Sequence, residues 1–69
     1  MKTVIMYGAS DMFVTLHNNI YALTTDKDEA LDFGNPEKGF YNTICTIDTV
    51  LSRRMTGYKC GLLKVMTIN

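Results

Sequence analysis

The chain has little of what metal and redox sites are built from. It holds one histidine, His17, and two cysteines, Cys45 and Cys60. The cysteines form no C-x-x-C pair, and one histidine cannot complete a tetrahedral zinc set with them. It also lacks an excess of charge: seven Lys and Arg balance seven Asp and Glu. Nucleic-acid binding through a general basic field is therefore not expected. Neither is DNA mimicry, which needs a strongly acidic surface. No apolar run approaches the roughly 20 residues of a membrane span. The opening apolar run after Lys2 is too short for a signal peptide. A cytoplasmic protein with reduced thiols is expected, with no cofactor, no metal and no membrane partner. Internal repeats, linkers and low-complexity tracts are missing as well.

What is present is apolar. Hydrophobic residues make up 46% of the 69 positions, too many for a disordered tail. The expectation is a single α+β domain over 1–69. At this size folding buries only about 60% of the unfolded chain's surface, so the core must be well used. Zero net charge gives little protection against self-association.

The first strands are legible from composition. Lys2 to Tyr7 is rich in Val, Ile and Tyr and reads as a strand. Gly8 to Asp11 is turn chemistry. Met12 to His17 alternates, with Met12, Val14 and Leu16 on one face and Phe13, Thr15 and His17 on the other. Asn18-Asn19 tolerates the positive φ of a two-residue hairpin turn. Ile20 to Thr24 is then the return arm.

A short helix is expected over about Asp26 to Phe33, with Thr25 as its N-cap and Gly34 as its stop. Asp26, Asp28 and Glu29 suit its first turn. Pro36 blocks any continuation, and Gly34 to Gly39 reads as a loop. The stretch Phe40 to Leu51 is ambiguous. Ile47, Val50 and Leu51 fit a helical template, but the many threonines favour a strand. Ser52 to Gly57 would then be a hairpin loop and Tyr58 to Ile68 the last strand, interrupted at Gly61. The expected order is β-β-β-α-β-β, an antiparallel sheet of about five strands with one short helix on one face.

Catalytic chemistry is thin. His17 precedes a turn and is expected to face solvent. Nothing in the spacing places Ser10, Cys45 or Cys60 beside it as a nucleophile. Cys45 and Cys60 read as small buried residues. The acidic group Asp26, Asp28, Glu29 and Asp32 suits a helix start better than a calcium loop. The chain is not expected to be an enzyme. Seven aromatics and five methionines exceed what one sheet face under a short helix can bury. The expected binding surface combines Tyr7, Phe13, Tyr41 and Tyr58 with an Arg53-Arg54 loop, since aromatics and Arg dominate interface hot spots. A homodimer packed through that face is the alternative.

Two resemblances add to this. The stretches Ile20-Tyr21-Ala22, Asp28-Glu29-Ala30-Leu31 and Ile44 to Val50 resemble the strand-and-helix plan of small phage-encoded inhibitors of bacterial enzymes, including RNA polymerase inhibitors and anti-CRISPR proteins. That resemblance implies a non-enzymatic phage or mobile-element protein. Its partner would be a bacterial host protein or defence system, met in the host cytoplasm. Separately, Tyr7-Gly8-Ala9-Ser10, Ile20 to Asp26 and Glu29 to Gly34 resemble the N-terminal half of ADP-ribosyltransferase folds. The family's histidine between Tyr7 and Gly8 is missing, and Asn19 stands where glycine is usual. The second resemblance therefore implies a reduced, small-molecule-binding relative rather than an active transferase.

Overall fold

The computed structural model describes residues 2–35 and 39–69. Its elements run β1 (Lys2–Tyr7), β2 (Met12–His17), β3 (Ile20–Thr24), α1 (Phe40–Arg54) and β4 (Leu63–Ile68). The four strands form one antiparallel sheet in the order β3-β2-β1-β4. The class is α+β as expected, with four strands rather than five. The β2–β3 hairpin turns through Asn18 and Asn19, at φ 51° and 63°, the left-handed pair that a two-residue turn requires.

The main correction concerns Phe40 to Leu51, which is helix, not strand. Phe40, Ile44, Ile47, Leu51 and Met55 recur at the spacing of one helical face. Ile47 and Leu51 are fully buried there against Ile5 and Val14. The threonines do not oppose this. Thr46 Oγ1 donates to Asn42 O and Thr49 Oγ1 to Cys45 O, each at 2.9 Å, so their hydroxyls are satisfied within the helix. Arg53 and Arg54 occupy the helix's last turn instead of a hairpin loop, where they complement the negative end of its dipole.

The second correction is the lost helix at 26–33. Thr25 caps nothing; Thr24 Oγ1 accepts from the Asp26 N–H at 3.1 Å, and Asp26 Oδ1 from the Asp28 N–H at 2.9 Å. One turn follows, with Glu29 N–H donating to Asp26 O. The chain then extends. Leu31 N–H donates to Val14 O at 2.9 Å and Phe33 N–H to Thr3 O at 2.8 Å. β1 and β2 pair only at Met6↔Phe13 and Tyr7↔Met12, and the 29–33 segment bridges them where they part. A two-turn helix is marginal on its own, whereas strand backbone groups left by this divergence must find partners. The Gly34–Gly39 loop expectation falls partly on Pro36, Glu37 and Lys38, which lie outside the described residues.

The two faces of the sheet are covered differently. α1 lies over the face carrying Ile5 and Val14 and packs towards β3. On the other face Lys2 Nζ donates to Asp28 O at 3.1 Å and Thr15 Oγ1 to Glu29 O at 2.7 Å. That turn shelters Val4 and Ala30, both buried. The last strand starts at Leu63, not Tyr58, so residues 56–62 form a connection.

Candidate functional site: the cleft between α1 and β4

Because α1 leans towards β3, its other flank stands clear of β4. A cleft of about 170 Å³ opens there, lined by Tyr41, Ile44, Cys45 and Asp48 from the helix and by Gly61 and Leu63 opposite. The four helical residues sit at i, i+3, i+4 and i+7, so they share one stripe. Tyr41 on the rim is 75% exposed, the most exposed large apolar side chain among the described residues. The Cys45 side chain beside it raises the Tyr41 hydroxyl above its ordinary pKa.

Asp48 looks reactive by type but is fully engaged. Its Oδ1 accepts the Tyr58 hydroxyl and its Oδ2 the Gly61 N–H at 3.1 Å. The carboxylate therefore staples the 56–62 connection to the helix. Burial first, and then the hydrogen bond to Asp48 and its charge, push the Tyr58 hydroxyl well above the usual phenol range. Tyr58 in turn stacks on Tyr7, with ring centroids 4.8 Å apart. The Tyr7 hydroxyl accepts the Lys59 N–H at 2.7 Å.

The residues expected to form one binding surface are thus dispersed. Tyr7 is buried and Tyr58 half-buried, and both serve the core. Phe13 is half-buried on the face away from α1, opposite Met6 and Thr24. Tyr41 alone stands free at the cleft. Arg54 borders a separate hollow at the β2–β3 hairpin with His17 and Ile20. It lies thirteen steps along the helix from Tyr41, roughly 20 Å at 1.5 Å each. Cys45 and Cys60 are both exposed, not buried. Ile44, Leu63, Val65 and Met66 were not anticipated as surface residues. Reading 40–54 as helix reveals Ile44 through the Tyr41 stripe, but no local signal marks β4 as the edge.

Among the described residues, no group of three His, Cys, Asp or Glu side chains is placed to hold a metal. No described helix is long and apolar enough to cross a membrane. Comparison with known protein families, curated proteins and solved structures finds no match.

Proposed function

We propose that the chain is a non-enzymatic protein-binding module that engages its partner through the α1–β4 cleft. The observation that carries this reading is Tyr41. An aromatic side chain that is 75% exposed stands at the rim of a cleft floored by Ile44 and Leu63. Protein interfaces concentrate their energy in aromatics of this kind, seated beside apolar pockets. Arg53 and Arg54 lie at the far end of the helix and serve as steering charges for an acidic surface.

The partner we propose is a bacterial host protein, inhibited in the host cytoplasm by a phage or mobile-element product. This part rests on the sequence resemblance to small phage inhibitors. The test is capture from bacterial lysate by the tagged chain, followed by titration of the captured protein. One stoichiometric partner is expected. Tyr41→Ala should weaken it by about 2 kcal/mol or more, while Arg53→Ala with Arg54→Ala should mainly slow association. Wild-type affinity in Tyr41→Ala would exclude the cleft. Saturable binding of NAD by the purified chain would favour the ADP-ribosyltransferase-like alternative.

A further inference from the structure

We propose that β4 pairs with β4 of a second copy of this chain, antiparallel, about a twofold axis at Val65. The proposal goes beyond the partner-binding reading and does not rest on it.

The hydrogen-bond parity of β4 sets the geometry. Thr3 spends its N–H on Asp32 and its C=O on Phe33, so both point away from β4. Gly8 N–H donates to Leu62 O at 2.7 Å, continuing the β1–β4 register of Lys2↔Ile68 to Tyr7↔Leu63. Even-numbered residues of β4 therefore bond to β1, because antiparallel pairs alternate. Leu63, Val65 and Thr67 turn their N–H and C=O groups outward. The opposite edge, β3, has α1 packed beside it; among the described strands and helix, β1 alone packs closely on β4. Natural edges are guarded by proline, bulges or charge. β4 has neither proline nor bulge, and Lys64 is its one charge.

The edge is self-complementary. With Val65 on the axis, outward groups meet outward groups, and Leu63 faces Thr67 of the second copy. Lys64 faces Met66 of the second copy, so no like charges oppose each other. Moving the axis to Lys64 would set the two lysines face to face, and an axis between residues would match outward groups with inward ones. The chosen register sets Val65 against Val65 of the second copy on one face of the sheet and Met66 against the Lys64 stem on the other, covering side chains that are 42% and 37% exposed, and the chain's zero net charge offers no repulsion. Six residues span roughly 20 Å, and one strand pair of that length buries less area than a standard interface. The association is accordingly weak and reversible, and it leaves the α1–β4 cleft open, with the second copy's strand extending its floor.

Sedimentation of the full chain over a series reaching millimolar concentration tests this. The average mass should rise from 7.8 kDa towards twice that value and no further. Val65→Lys and Val65→Glu should each stay monomeric alone, and an equimolar mixture should associate again. Val65→Pro, which removes an outward N–H and none of the bonds to β1, should also be monomeric with its circular dichroism unchanged. A wild-type monomer throughout, a mass beyond the dimer, self-association by either charged variant alone, or a mixture that stays monomeric would overturn the pairing.

Discussion

At the scale of single residues, two carboxylates do structural work that their sequence positions did not advertise. Asp48 holds Tyr58 and Gly61 from within a helix. Tyr58→Phe keeps the stack on Tyr7 but removes one partner of that carboxylate. It should cost about 1 kcal/mol, near the typical net worth of a hydrogen bond, measured by urea unfolding. The raised Tyr58 pKa adds a pH signature. A hydroxyl whose pKa is higher folded than unfolded supports the fold below the unfolded value, about 10, and this support is lost as pH rises past it. The alkaline loss of stability should therefore be shallower in Tyr58→Phe than in wild type. Asp32 has the opposite sign. The Gly34 and Thr3 N–H groups lower its pKa, so its contribution is present above the unfolded carboxylate value and lost as pH falls through the folded one. Asp32→Asn should flatten the stability profile on the acid side, read as thermal midpoints from neutral pH down to about 3.

At the scale of elements, legibility followed how local each signal was. The Asn18-Asn19 turn and its flanking strands need only neighbours in sequence, and they form as their residues imply. The Phe40 stretch reads as strand because threonine counts for strands on propensity alone, while its hydroxyl can back-bond within a helix. The deciding pattern, Phe40, Ile44, Ile47, Leu51 and Met55, spans four turns, and its Ile47 to Leu51 part alone does not outweigh the threonines. The 26–33 stretch failed for a different reason. Its capping residues are real helix formers' signals, yet the strands' divergence competes for its backbone, and that divergence is a tertiary fact. The cleft was legible only through Tyr41, because its other wall depends on where β4 docks. If the helical face carries the core, Leu51→Ala should destabilise by about 2–5 kcal/mol. For a domain this small that loss approaches the whole stability. A midpoint close to wild type would mean that the helix contributes little to the core.

At the scale of the whole molecule, the radius of gyration is 11.1 Å, close to the roughly 11 Å expected of a compact chain of this length. Its fully buried cluster draws Ile5 from β1, Val14 from β2 and Ile47 and Leu51 from α1. Helix and sheet thus share one core, and the sheet's other buried patch, Val4 and Ala30, lies under a single turn rather than a second layer. A 15-residue helix is at the margin of stability in water by itself, and two strand pairs joined at Met6↔Phe13 and Tyr7↔Met12 offer little more. The connection at 56–62 ties the parts further, since Tyr58 touches both Tyr7 and Asp48. Unfolding should therefore be a single transition. Helical circular dichroism follows α1, and tyrosine fluorescence in a Tyr41→Phe background reports Tyr7, Tyr21 and Tyr58 at the sheet. In urea the two signals should give coincident midpoints and equal slopes, as an all-or-none transition requires. A tyrosine signal lost before the helix would show that the sheet and its 56–62 connection open separately, and that the shared core is weaker than its burial implies.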